Sequence, residues 1–353
     1  MTSAGPRSTP PGAETPLLRV RGLEVHFPIT RGVFGRTVGY VKAVDGVSFD
    51  VREGTTLGLV GESGCGKTTL GRALLRVYEP TAGEVLYRTP EGAQVDLARL
   101  APAELRPYRQ QIRMVFQDPH SSLNPRFPVR DIVAEPLKVN RLVRERDIDG
   151  VVGDLLAQVG LRPETMHRYP HAFSGGERQR IGIARALATS PRLVIADEAV
   201  SALDVSVQAQ ILNLLKRLQR ELGLTYVFVS HDLSVVEHLS DEVAVMYVGK
   251  LVESGPTAEL YRRPLHPYTE ALLSAVPKPD PRLRGREGRI RLPGEVADPA
   301  DPPPGCPFHP RCAYARDVCR TDVPPLREVE PGRRAACHFA GELELRGVEA
   351  EAA

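Results

Sequence analysis

The sequence predicts an α/β fold, a mostly parallel sheet with helices on both faces built around a phosphate-binding loop. Three observations carry this expectation. Residues Gly61–Thr68 match the pattern G-x-x-x-x-G-K-[ST]. The loop is preceded by the short apolar run Thr56–Val60, and followed by Leu70, Ala73, Leu74 and Val77 at i, i+3, i+4 and i+7, the apolar face of a helix. Further along, strand-like runs alternate with helix-spaced ones, the pattern of a parallel sheet.

The elements follow in order. Met1–Pro16 is rich in Pro, Ser, Thr and Gly and lacks an apolar h-region, so it reads as a disordered tail and not as a signal peptide. Leu18–Phe27 and Ala43–Val51 alternate apolar and polar residues as strands do, and Met114, Val115 and Phe116 end a strand just before Gln117. From Asn124 to Phe173 the spacing turns helical, with Ile132, Leu137, Val151, Leu155, Leu156 and Val159 on helix faces between proline breaks. Strands resume at Leu193–Ala196, Tyr226–Val229 and Val243–Val248. The helix between the first two carries Ile211, Leu214, Leu215, Leu218 and Leu222 on one face. After Gly255 the character changes: Pro299–Pro310 holds six prolines, and four cysteines lie between 306 and 337. Residues 256–340 are therefore expected to form a separate structural unit, and 341–353 a flexible tail.

Composition bounds the functions. A chain of 353 residues, 42% hydrophobic, can bury a large core. A net charge of +2, with 40 of the 46 basic residues arginine, gives no general electrostatic footprint for nucleic acid or membrane. No apolar run approaches the ~18 residues of a membrane span. Five cysteines without an export signal point to a reducing, cytoplasmic setting.

The candidate chemistry lies in three places. A strand–glycine loop–helix unit stacks free N–H groups at a helix N-terminus, where phosphate oxygens are favoured, so Gly61, Glu62, Ser63, Gly64, Cys65, Gly66, Lys67, Thr68 and Thr69 are the nucleotide cradle. Lys67 is placed to reach the β- and γ-phosphates and the Thr68 hydroxyl to ligate Mg²⁺. Leu193–Glu198 is a buried strand ending in two carboxylates: Asp197 to hold Mg²⁺, Glu198 to orient or deprotonate water. Ser174–Arg180 contains Ser-x-x-Glu, which is a helix capping box in its own right. Its glycines let backbone amides approach a ligand where the helix dipole favours the γ-phosphate.

These stretches, in this order, resemble the ATP-binding cassette (ABC) ATPases over roughly Leu17–Gly255. Gly61–Thr68 is similar to their Walker A motif, Gln117 to the Q-loop glutamine, and Ser174–Gln179 to the signature motif. Asp197–Glu198 corresponds to the Walker B end, Ser201–Asp204 to the D-loop and His231 to the switch histidine. Phe173, Glu177 and Ala199 depart from the commoner Leu, Gln and Pro without removing a catalytic group. The resemblance implies a P-loop NTPase core with an antiparallel β subdomain and an α-helical subdomain at about 124–173. It implies ATP and Mg²⁺ as cofactors, with Gln117 also on the metal. Ser174, Gly175, Gly176, Gln179 and Asp204 are implied to face a nucleotide shared with a second ATPase subunit. The family's adenine-stacking aromatic falls at Val38 by count from Val47–Phe49, so nearby Tyr40 is the substitute candidate.

The stretches Val115–Pro119, Ser122–Pro125, Asp204–Gln210, Leu265–Thr269 and Pro304–Phe308 are similar to the oligopeptide/dipeptide permease ATPases, and Glu198–Ser201 to their F-type subunit. This resemblance implies a peripheral ATPase on the cytoplasmic face of the membrane. Its partners would be a second, different ATPase subunit, two permease subunits and an extracytoplasmic solute-binding protein, with no nucleic acid. Nickel, sugar or another solute is the alternative cargo, and a soluble non-transport ABC ATPase the rival class. Cys306, Cys312, Cys319 and Cys337 are separated by five, six and seventeen residues, wider than the paired spacing of structural zinc. Irregularly spaced cysteines can hold a [4Fe–4S] cluster, and the resemblance implies one. Zinc with His309 or His338, and unliganded thiols or disulfides, are the alternatives, the reducing setting arguing against the disulfides.

Overall fold

The computed structural model describes residues 15–32, 36–118, 122–276 and 289–348. Its strands are β1 (Leu18–Arg31), β2 (Arg36–Val51), β3 (Thr56–Val60), β4 (Ala82–Arg88), β5 (Gln94–Asp96) and β6 (Ile112–Val115), then β7 (Leu193–Asp197), β8 (Thr225–Ser230), β9 (Glu242–Tyr247), β10 (Lys250–Pro256), β11 (Arg327–Glu330) and β12 (Arg333–Ala335). β3, β7 and β8 are buried along their whole length, as strands covered on both faces must be. They lie inside an eight-stranded sheet of order β11-β12-β10-β9-β3-β8-β7-β6, parallel from β9 through β6. A second, antiparallel sheet of order β2-β1-β4-β5 carries the N-terminal strands.

Successive side chains of a strand point to opposite faces, so the large sheet separates two cores. Val194, Ala196, Tyr226 and Phe228 face one core. It also takes in the helices Val129–Val139, Ile148–Gln158 and Gly175–Leu187. Leu193, Ile195, Val227 and Val229 face the other, shared with the antiparallel sheet and the helix Lys67–Leu74.

Four expectations change. The helix after the phosphate loop stops at Leu74, because Arg76 takes a left-handed φ of 54°; Val77 is therefore 62% exposed, not on the apolar face. In the helix Val205–Leu222, Leu222 lies in the last turn and is exposed, while Leu212 is buried in its place. The C-terminal extension is not a separate unit. β10 is an edge whose free backbone groups need a partner, and β12 supplies it, pairing Glu253 with Ala335. Phe308 packs on Tyr247 of β9 with ring centroids 5.4 Å apart. Finally, the expected flexible tail is docked through residue 348. Leu345 is buried, Arg346 N donates to Glu270 Oε1 at 2.8 Å and Val348 N to Tyr261 O at 2.8 Å. Most of the expected N-terminal tail, 1–14, and the end 349–353 lie outside the described residues.

Candidate ATP site

The loop between β3 and the helix Lys67–Leu74 is shaped by glycines that nothing larger can replace. A Cβ on Gly66 (φ 106°) would lie 1.9 Å from the Ala43 carbonyl oxygen, and one on Gly61 2.2 Å from that of Met246. The loop is thus pressed against β2 and β9. Lys67 is 5% exposed, and its Nζ donates to Gly61 O at 2.7 Å and Glu62 O at 2.9 Å. A buried ammonium held by loop carbonyls is a charge kept ready for an anion.

Opposite the loop, β7 delivers its two carboxylates in different ways. Asp197 ends the strand at 2% exposure and accepts the Thr68 hydroxyl at 3.0 Å. Burial raises its pKa and the Thr68 hydrogen bond opposes the rise, so a cation there would relieve the desolvation. Glu198 takes φ 45°, a left-handed conformation that turns its side chain out of the strand line. Gln117 Nε2 donates to Glu198 Oε2 at 2.8 Å, and His231 Nδ1 lies 3.2 Å from Glu198 Oε1. Two side chains, from beyond the ends of β6 and β8, thus converge on the carboxylate at the end of β7. The three residues line a cavity of about 530 Å³ together with Ser63, Gly64, Gly66, Lys67, Thr68 and Thr69.

Other expected residues stand elsewhere. Cys65 and Glu62 turn their side chains away from the cavity, Cys65 into the core at 1% exposure and Glu62 toward the C-terminal extension. Tyr40 is 51% exposed and does not line the cavity. The strand alternation that turns it away brings in Val41 and Ala43, and Pro299 completes that wall, its carbonyl accepting Lys42 N at 3.1 Å. Val41 and Pro299 were missed: the first has no chemistry of its own, and the second lies inside a proline-rich stretch more than 200 residues downstream in the 353. Ser174 and Glu177 form the full capping box. The signature residues do not line the cavity. Gly176 is required by packing, since a Cβ would meet Val207 Cγ1 at 2.4 Å. Gln179 is 2% exposed, so its expected ligand contact is corrected: the capped helix turns it into the core. Asp204 caps the helix Val205–Leu222, accepting Val207 N at 3.0 Å.

A family model described as ABC transporter matches residues 44–201, and one described as Oligopeptide/dipeptide transporter, C-terminal region, matches residues 252–319. The oligopeptide transport ATP-binding protein AppF of Bacillus subtilis (strain 168) is 52% identical over 324 residues, covering 92% of this chain and 97% of AppF. The chain belongs to the ABC transporter ATP-binding subunits. This ABC subunit is also 51% identical over 323 residues to the dipeptide transport ATP-binding protein DppF of Haemophilus influenzae, covering 92% and 96% of the two chains. Among solved structures it is similar to cbiO1 of Clostridium perfringens, part of the cbiONQ transporter complex (TM-score 0.59, 27% identity, 70% of this chain and 91% of that one). It is likewise similar to the dimeric ATP-binding cassette MJ0796 in a post-hydrolysis state bound to ADP and Pi (TM-score 0.59, 26% identity, 68% and 98%). The fold and the ATPase activity of the family are thereby those of this subunit.

The subunit's C-terminal extension brings Cys306, Cys312, Cys319 and Cys337 to one small cavity of about 20 Å³, all four as free thiols. Burial pushes the Cys306 thiol up to about 12 and Cys312 to about 11, and raises Cys337 as well. These thiols stay protonated at neutral pH unless a metal displaces the protons. A tetrahedral zinc with Zn–S of about 2.3 Å needs sulfurs about 3.8 Å apart. Among the described residues, the one group of three or more ligand atoms within 4.8 Å of one another is Glu24, His26 and Asp45, not the cysteines. Each histidine has a ring nitrogen facing a backbone carbonyl instead, His309 Nδ1 the oxygen of Cys306 at 3.0 Å and His338 Nε2 that of Asp322 at 2.9 Å. The donor set is four thiols, spread more widely than a single zinc ion requires.

Proposed function

We propose that this subunit hydrolyses ATP to drive import of di- or oligopeptides through separate membrane permease subunits. The observation that carries the catalytic part is the convergence of Gln117 and His231 on the Glu198 carboxylate beside Lys67. Lys67 leaves the loop carbonyls for the β- and γ-phosphates. Thr68, Asp197 and Gln117 would hold Mg²⁺, which would supply neutralisation of phosphate charge. Glu198 orients and polarises the attacking water, and His231 contacts the γ-phosphate. Ser174, Gly175 and Gly176 lie outside this cavity and cap ATP bound on a second ATPase subunit, so one chain does not complete a site. ATP's differential affinity for the closed and open pair then does the mechanical work.

The peptide cargo rests on the relatives, whose names are oligopeptide and dipeptide transport ATP-binding proteins and whose similarity extends through the C-terminal region. No helix among the described residues is long and apolar enough to cross a membrane, which supports a peripheral place against permease subunits. We further assign a [4Fe–4S] cluster to Cys306, Cys312, Cys319 and Cys337, supported by four thiols around one cavity and a spacing too wide for zinc. The cluster would tie the extension's loops together; no catalytic group depends on it. Reconstitution with the permease, partner ATPase and binding protein tests the whole reading. ATP-dependent uptake of a dipeptide or short oligopeptide is expected, and uptake of nickel or a sugar in its place would overturn the cargo assignment.

A further inference from the structure

The first turn of the phosphate loop is held from the C-terminal extension. Arg311 lies between Cys306 and Cys312 at 8% exposure. Its Nη1 donates to Glu62 Oε2 at 2.7 Å and its Nη2 to Glu62 Oε1 at 3.1 Å. This bidentate pair fixes orientation as well as distance. A second contact meets the same residue: Glu62 N donates to the Tyr268 hydroxyl at 2.8 Å. Tyr268 is fully buried, with Tyr247 4.7 Å and Phe308 5.4 Å away between ring centroids. The third handle on Glu62 is its own carbonyl, which accepts Lys67 Nζ at 2.9 Å.

These three handles behave differently when ATP arrives. Lys67 must release the Gly61 and Glu62 carbonyls to reach phosphate, and the loop then loses its internal brace. Arg311 and Tyr268 lie outside the cavity and do not have to move. We propose that Arg311 and Tyr268 are positioning residues for the ATPase site: they hold Glu62, and through it the phosphate loop, in its binding shape after Lys67 has left. The extension thereby sets the affinity for ATP. The clasp touches none of Glu198, Gln117 or His231, so it acts on binding and not on the chemical step.

The test uses the assembled transporter and reads ATP KM and kcat separately. Arg311→Gln and Glu62→Gln should each raise KM about tenfold, as expected for loss of a charge-assisted pair, with kcat held within about twofold. The double variant should be no worse than the poorer single one, because both break the same contact. Arg311→Lys should restore part of the KM, since it keeps the charge and loses the fork. Tyr268→Phe removes one hydroxyl while keeping the ring packing, and should raise KM in the same direction. An unchanged KM in Arg311→Gln, single-variant losses that multiply in the double, or a fall in kcat at constant KM would each overturn the proposal. Thermal unfolding of each variant separates these results from simple loss of fold: a lowered midpoint with wild-type KM also counts against it.

Discussion

Two carboxylates of one sheet, Asp197 on β7 and Glu253 on β10, are equally hidden at 2% and 1% exposure, yet are satisfied in different ways. Glu253 accepts Leu265 N at 2.8 Å and His266 N at 2.9 Å, and faces buried Arg333 at 3.8 Å. Asp197 meets the Thr68 hydroxyl and, at longer range, the charges of Arg72 and Lys67. The first is closed by the protein itself and ties the extension to the sheet edge. The second keeps lone pairs for a ligand beside Thr68 of the phosphate loop. Burial alone therefore does not distinguish a site from a scaffold; the count of fixed donors does.

The largest effect is expected at the catalytic end. Glu198→Gln should lower kcat by about 10²–10⁴-fold, the usual contribution of a general base, while ATP binding is retained. Phosphate release and nucleotide binding measured on the same preparation check it. Asp197→Asn should cost about 10²–10³-fold in turnover through weaker Mg²⁺ binding, with little change in unfolding midpoint. Comparable instability in both carboxylate variants would erase the distinction drawn above.

Glu253→Gln should do the reverse, costing about 1–3 kcal/mol of stability, since one of the two oxygens that accept Leu265 N and His266 N becomes a donor. Urea unfolding measures this. Its pH dependence sharpens the contrast. Burial raises the Glu253 pKa from 4.5 to about 7. The folded state then holds a proton that the unfolded state has released across this window. Stability of the wild type should fall as pH rises from about 4.5 to 7, by up to about 3 kcal/mol, and stay level above and below. The Glu253→Gln variant should lack that slope. A smaller effect is expected at Gly176→Ala. Its new methyl would press on Val207 Cγ1 at 2.4 Å, costing about 1–3 kcal/mol, and Val207→Ala in the same chain should restore part of it.

Much of the ATP end was legible because its chemistry is local in sequence. Gly61–Thr68, Asp197–Glu198 and Ser174–Glu177 are runs whose residue types and spacing state their geometry. Gln117 and His231 needed the family resemblance, because a lone glutamine or histidine carries no pattern. The extension was misread as a separate unit since its attachment is long-range: Arg311 meets Glu62 across 249 residues, and β12 completes an edge that begins at Lys250. No periodicity reveals such pairs. Gln179 was assigned to a ligand for lying in a recognised motif, whereas its helix phase faces it into the core.

The smallest prediction concerns the wall of the cavity, where two positions on neighbouring residues should behave oppositely. Tyr40 has the aromatic ring that a nucleobase would stack on, but stands half exposed on the far side of β2. Val41 lacks a ring and lines the cavity with Pro299. If apolar contact with ATP comes from this wall, Tyr40→Ala should change ATP KM by less than about twofold. Pro299→Gly, which removes about 40 Å² of apolar surface, should raise KM about fivefold. ATP titrations of both variants at matched fold content decide the case. A Tyr40→Ala effect larger than that of Pro299→Gly would return the stacking role to Tyr40 and require β2 to turn over when the nucleotide binds.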